Sequence, residues 1–209
     1  MLTIAIAKGR IQEETADLFR KAGMNPGPWM SESRKLIHDV PEDGLRVMIV
    51  RATDVPVYVE HGAADVGIVG RDTVLEQGSD LYEPLDLGIG RCRLSVARPK
   101  NAPPDPLPLK VATKYAHLAE RFFAQKGVQV EIIKLYGSIE LAPLTGLADC
   151  IVDLVSTGKT LKENGLEETE QILDISTVLV VNRASLKTRS EDVKTLLGRL
   201  RAVCGGAPV

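Results

Sequence analysis

Along the chain, short apolar runs alternate with charged and glycine-punctuated stretches, and the hydrophobic period switches repeatedly between two and 3.6 residues. Residues 2–7 alternate and are β-rich, predicting a strand. Residues 11–22 set Ile11, Thr15, Leu18, Phe19 and Ala22 on one side of a helix. Residues 23–43 are polar, broken by Pro and Gly, and predict no definite element. Strands are expected at 45–50 and, buried, at 66–70. Between them Asp54 and Val55-Pro56 signal a helix running to about Glu60. Asp72 is read as the cap of a short helix, and strands follow at 82–87 and 93–97. Residues 98–108 carry Pro99, Pro103, Pro104, Pro106 and Pro108. Beyond them the pattern resumes: strand 109–113, an amphipathic helix 116–125 stopped by Gly127, and strand 128–135. A short helix is capped by Ser138, and strand 150–153 follows. A β-rich run, 172–181, and a helix, 190–203 with Val193, Leu196, Leu197 and Leu200 on one face, close the pattern. The tail 205–209 is expected to fray.

Strands alternating with helices put the chain in the α/β class. The proline-rich stretch reads as a stiff connection and a lobe boundary, and the late β run can return to the first lobe. The expected organisation is therefore residues 1–97 with 178–209 as one lobe and 98–177 as the other, with a cleft between them. Enzymes and pure binding proteins share that architecture, so it does not decide function.

Composition narrows the classes. The chain has 209 residues, 44% hydrophobic and 26% charged, as in an ordinary globular protein. A net charge of −2 offers no basic field for nucleic acid and no polybasic membrane patch, and 4% aromatic residues are too few for base-stacking platforms. No apolar run reaches membrane-spanning length, and the N-terminal one is too short for a signal peptide, so a cytoplasmic location is expected. Cys92, Cys150 and Cys204, like His38, His61 and His117, are scattered without metal-ligand or disulfide spacing.

Chemistry concentrates in residues 149–165. An apolar run ends at Asp153, a small polar turn Ser156-Thr157-Gly158-Lys159-Thr160 follows, and a helix starts that stops near Asn164-Gly165. Helix-start N–H groups lack partners within the helix and suit an anion, Gly158 allows close approach, and the hydroxyls and Lys159 add donors and charge. Gly158-Lys159-Thr160 matches the end of the nucleotide-triphosphatase loop, but its required first glycine falls on Asp153. An acid followed by T-G-x-T fits the phosphoribosyl-pyrophosphate (PRPP) loop instead: the turn holds the 5′-phosphate and the acid reaches the ribose hydroxyls. That loop commonly has two adjacent acids, and here the first is Val152. Lys8 and Arg10, flanking Gly9 at the carboxyl end of the first strand, and Arg51 at the end of the next, occupy positions where α/β sheets bind anions.

Ala7-Lys8-Gly9-Arg10, Ser33-Arg34-Lys35-Leu36, Arg51-Ala52-Thr53-Asp54-Val55-Pro56, the 62–70 run, Tyr136-Gly137-Ser138-Ile139-Glu140-Leu141-Ala142-Pro143 and the 149–166 loop occur in one order and spacing. Together they resemble the catalytic subunit of the ATP phosphoribosyltransferase family, in its short form, over almost the whole chain. The resemblance implies a two-lobed, type II periplasmic-binding-protein-like fold with the active site in the interlobe cleft. It implies transfer of phosphoribosyl from PRPP to N1 of ATP with release of pyrophosphate, the first step of histidine biosynthesis. It also implies Mg²⁺ held mainly by substrate rather than protein ligands, a histidyl-tRNA-synthetase-like regulatory subunit in a hetero-oligomer, and a homodimer of this chain. Arg10 and Arg34 are expected to stabilise the leaving pyrophosphate, with Lys8, Gly9 and Arg51 at substrate phosphates and Tyr115 touching adenine. Glu140 and Asp153 are expected at the ribose hydroxyls or the Mg²⁺ shell, and Ser156, Thr157, Gly158, Lys159 and Thr160 at the 5′-phosphate. A solute-binding module closing on an anion, and a phosphoribosyltransferase for another base, are the alternatives.

Overall fold

The computed structural model describes residues 1–31, 35–102 and 106–204. The chain divides into two units, Met1–Gly90 with Ser176–Val209, and Arg91–Ile175. In chain order the first unit begins with β1 (Leu2–Ala7), α1 (Arg10–Lys21), α2 (Gly27–Met30), β2 (Ile37–Val40), β3 (Leu45–Val50), α3 (Val55–Glu60), β4 (Val66–Gly70), α4 (Arg71–Gln77) and β5 (Tyr82–Asp86). The second unit holds β6 (Cys92–Pro99), β7 (Leu109–Thr113), α5 (Ala116–Gln125), β8 (Val130–Lys134), α6 (Leu141–Leu144), β9 (Cys150–Val155), α7 (Lys159–Glu163) and β10 (Leu166–Ile175). The chain then returns to the first with β11 (Thr177–Val181), α8 (Arg183–Thr188) and α9 (Ser190–Arg201).

The first unit is a mixed sheet in the order β2-β3-β1-β4-β11-β5. β1 runs parallel to both β3 and β4, while β2 and β11 enter antiparallel. Both faces of β1 are covered. Leu2, Ile4 and Ile6 join one apolar cluster with Phe19 and Trp29, and Ala5 and Ala7 join another with Val55, Val59 and Val178. Trp29, 2% exposed, meets Phe19 edge to face with ring centroids 5.7 Å apart; burying each ring contributes about 1.5–3 kcal/mol. Gly67 on β4 is there for space. A Cβ on it would lie 2.7 Å from Val55 Cγ1, 2.8 Å from Val59 Cγ2 and 2.9 Å from Val180 Cγ2, so α3 rests directly on the strand backbone.

The second unit is a mixed sheet in the order β10-β6-β9-β7-β8, with β7 parallel to β8 and β9 and β6 antiparallel to β9 and β10. Ala97, Ala112, Ile151, Val155, Leu161 and Leu166 form its core with Ile139 and Ala142. Arg93 on β6 grips Glu168 on β10 through Nε, 2.5 Å from Oε1, and through Nη2 to Oε2. Ser95, fully buried, donates its Oγ–H to the same Oε1 at 2.7 Å.

Several expectations change. β6 belongs with the second unit because its ladders run to β9 and β10, so the units divide after Gly90 and after Ile175 rather than near residues 97 and 177. The β run 172–181 is two strands in two different sheets, broken at Ser176. α2, β2 and α8 lie where no element was predicted. Asp54 and Asp72 cap no helix through their side chains, and Asp72 is buried within the first turn of α4. Ser138 is not a cap either; it adopts a left-handed φ of 49° ahead of α6. The 205–209 tail lies outside the described residues.

Two outcomes follow from this packing. Gly67→Ala should overpack the α3–β4 contact and cost about 1–3 kcal/mol in urea unfolding; a midpoint equal to the parent's would show that the helix shifts freely. The Arg93 hydrogen bonds hold Glu168 below the ordinary carboxyl value of 4.5, with partial burial opposing and Ser95 and the Arg93 charge assisting. Because the folded-state value is depressed, the ionised form's contribution to stability is complete above that ordinary value and is lost as pH falls through the folded-state value. The stability gap between the parent and Glu168→Gln should therefore hold steady above the ordinary value of 4.5 and narrow as pH falls below it. A gap independent of pH would show that this ionisation contributes nothing.

Candidate active site

β9 carries an apolar ladder to Val155 and stops where the polar turn begins. The flanks of the turn are anchored: Val155 and Leu161 are both buried in the second unit's core. Gly158 immediately precedes α7 with φ 73°, a left-handed geometry that favours glycine, while an added Cβ would meet nothing closer than Val155 Cγ1 at 3.8 Å. The Lys159 N–H donates to Thr157 Oγ1 at 3.4 Å. Among the described residues none accepts from the N–H groups of Thr157 or Gly158. Helix α7 ends at Asn164, whose Nδ2 donates to the Thr160 carbonyl at 2.8 Å.

One pocket of about 170 Å³ is lined by Glu140, Asp153, Ser156, Thr157, Gly158, Lys159 and Thr160, together with Leu154, Val155 and Leu161. Every residue expected at the sugar and its 5′-phosphate thus lines the same concavity. Asp153, half-buried, faces Ser95 across the β6–β9 ladder and accepts from the Leu154 N–H at 2.8 Å. Glu140 arrives from a different segment, just before α6, after the left-handed turn at Ser138. Lys159 is 80% exposed and makes a loose ion pair to Glu163 at 3.8 Å. Chemically, the hydroxyls and cation are suited to an anion, and the two carboxylates to accepting from hydroxyl groups.

The first-unit residues expected at substrate phosphates form their own group. Ala7 is in register with Val50, and the Lys8 N–H donates to the Val50 carbonyl at 2.8 Å, so Lys8 and Arg51 leave adjacent parallel strands at the same edge, both exposed. Gly9, with φ 96° and ψ −140°, turns the chain from β1 into α1. Arg10 opens that helix with its side chain 60% exposed, and its Nε donates to Glu14 Oε1 at 2.6 Å. The other oxygen of Glu14 accepts from the Gly90 N–H at 2.6 Å. Burial pushes the Glu14 carboxyl up, but the Arg10 and Gly90 hydrogen bonds and the Arg10 charge outweigh it and hold it below the ordinary range.

Tyr115 is 4% exposed, packed at the start of α5 with the Lys114 ammonium 5.6 Å from its ring centroid, so its ring belongs to the second unit's interior. Arg34 lies outside the described residues. Glu14, Arg93, Ser95 and Glu168 were not anticipated. Arg93 and Glu168 are 75 positions apart, and no motif or local spacing joins them.

The family model described as HisG: ATP phosphoribosyltransferase matches residues 51–202. The chain is 58% identical over 201 residues to ATP phosphoribosyltransferase 2 of Geobacter sulfurreducens, covering 94% of this chain and 95% of that one. It is 55% identical over 207 residues to the ATP phosphoribosyltransferase of Syntrophotalea carbinolica, covering 97% and 94%. Among solved structures, the ATP phosphoribosyl transferase (HisG:HisZ) complex from Thermotoga maritima superposes with a TM-score of 0.83 at 36% identity, covering 97% of this chain and 98% of that one. The periplasmic aliphatic sulphonate binding protein SsuA from Escherichia coli, at TM-score 0.62 and 15% identity over 97% of this chain and 68% of that one, shares the fold alone. The chain therefore belongs to the ATP phosphoribosyltransferase (HisG) family, enzymes of the first step of histidine biosynthesis.

Proposed function

We propose that the pocket at the end of β9 takes the ribose 5-phosphate portion of PRPP, and that N1 of ATP then displaces pyrophosphate from C1′ to give N1-(5-phosphoribosyl)-ATP. The observation that carries this reading is the convergence of Glu140, Asp153 and the Ser156–Thr160 turn on one pocket. The open turn N–H groups and hydroxyls hold the 5′-phosphate, Lys159 adds charge, and the two carboxylates orient the ribose hydroxyls.

Adenine N1 attacks with a lone pair that carries no proton, so no base has to create the nucleophile. The N1–C1′ bond forms as the C1′–O bond breaks and its electron pair leaves with pyrophosphate. The demand on the protein is alignment and charge stabilisation on the departing oxygen. Arg10 and Arg34 serve this, because a planar guanidinium matches phosphate oxygens in pairs; Lys8 and Arg51, with the Gly9 turn, bind the remaining phosphates. Glu140 and Asp153 offer the hard oxygen donors that Mg²⁺ takes. Mg²⁺ would be held mainly by substrate phosphates, with Glu140 and Asp153 at its shell, and would supply neutralisation of pyrophosphate charge. Tyr115 would reach adenine only after local opening.

A structural neighbour that is a HisG:HisZ complex supports a HisZ-type partner; in this reading that partner is a histidyl-tRNA-synthetase-like regulatory subunit, assembled with a dimer of this chain. In this reading its setting is the cytoplasm.

The test mixes the protein with ATP, PRPP and Mg²⁺, couples pyrophosphate release to a pyrophosphatase, and detects phosphoribosyl-ATP by mass. Product should require both substrates. Arg10→Ala should lower turnover about 100-fold or more with the fold intact, and turnover close to the parent's would remove Arg10 from its role. Lys159→Ala should raise the KM for PRPP about tenfold. Tight anion binding without PRPP affinity would favour a solute-binding module instead.

A further inference from the structure

Beside its bidentate grip on Glu168, Arg93 makes a second contact. Its Nη1 donates to the main-chain carbonyl of Ser156, the first residue of the phosphate turn, at 3.2 Å. We propose that Arg93 is a positioning residue for this turn: held by Glu168, which Ser95 in turn steadies, it fixes the Ser156–Thr157 peptide plane and so aims the Thr157 N–H at the phosphate. The inference rests on the PRPP reading of the pocket and extends it to residues outside the motif.

The geometry works through the guanidinium's shape. Nε and Nη2 present one edge of the fork to the Glu168 carboxylate, so Nη1 is left pointing in a direction set by that pairing. Glu168 is itself kept from rotating by the buried Ser95 hydroxyl. Arg93 lies opposite Val155 in the β6–β9 ladder, which puts its reach at the residue where the strand ends. A peptide group is planar and trans, so a fixed Ser156 C=O sets the opposite direction for the Thr157 N–H. That matters because no described residue accepts from the Thr157 or Gly158 N–H. A turn whose donors are left open for a ligand cannot be held through those donors. Here it is held through its carbonyl.

The experiment measures PRPP affinity by calorimetry, KM for PRPP and for ATP, and thermal unfolding, for the parent, Arg93→Ala, Arg93→Lys and Glu168→Gln, with Thr157→Val and Lys159→Ala as references. Arg93→Ala should weaken PRPP binding about 10- to 100-fold while leaving the KM for ATP within about twofold, a split that general destabilisation would not produce. Arg93→Lys keeps the charge but not the fork and should recover little of the loss. Glu168→Gln should lose less and add nothing in the Arg93→Ala background, because both act through the same carbonyl. PRPP affinity within about twofold of the parent's in folded Arg93→Ala overturns the inference, as do equal losses for PRPP and ATP or full recovery by lysine. Should Arg93→Ala not fold, Arg93→Lys and Glu168→Gln carry the same test, and parent-like PRPP affinity in both overturns it. If Thr157→Val and Lys159→Ala also leave PRPP affinity unchanged, the reading of the pocket falls with it; if they lose affinity and the Arg93 variants do not, only the role of Arg93 falls.

Discussion

A loop that offers its own peptide N–H groups to an anion cannot spend them on its own folding. The turn at the end of β9, taken as such a loop, is held from the flanks and from behind. Val155 and Leu161 bury on either side of the turn, Gly158 takes the left-handed φ that brings the chain into α7, and Arg93 takes the carbonyl of Ser156. The donors of Thr157 and Gly158 stay open among the described residues. Burial thus does the work that backbone pairing does elsewhere, which is why two apolar residues bracket the most polar stretch of the segment.

The carboxylates near the sites illustrate how one residue type is tuned by its neighbours. Glu168 and Glu14 are each paired with an arginine that holds them ionised. Each also accepts a further hydrogen bond, Glu168 from Ser95 and Glu14 from the Gly90 backbone. These acids are fixed struts. Glu140 and Asp153 line the open pocket instead, where acceptors suit sugar hydroxyls or the shell of a cation. The same side-chain chemistry is thus found paired with arginines in one setting and lining a pocket in the other.

The two mixed sheets also explain the chain's connectivity. β10 pairs antiparallel with β6, and one residue later, at Ser176, the chain leaves that sheet for a place between β4 and β5 in the other. Ser176 donates its hydroxyl to Asp86 Oδ2 at 2.7 Å, and the other oxygen of Asp86 accepts from the Gly88 N–H at 2.8 Å, so the return point is pinned within the first unit. A continuous β-rich sequence is compatible with one long strand or with two. Only the available strand edges choose between them.

The sequence by itself determined the α/β class, the amphipathic helices α1, α5 and α9, most strands, and the residues of the pocket at the end of β9. These are local properties: a hydrophobic period records which side of an element is buried, and the turn motif packs its chemistry into consecutive positions. The tertiary structure alone decided β2, the split of β10 from β11, the assignment of β6 to the second unit, and the Arg93–Glu168–Ser95 cluster with its contact to the Ser156 carbonyl. Tyr115 went from an expected contact surface to an interior ring for the same reason. Periodicity names a buried face without naming its partner, and the partners here are set by strand register between segments tens of residues apart.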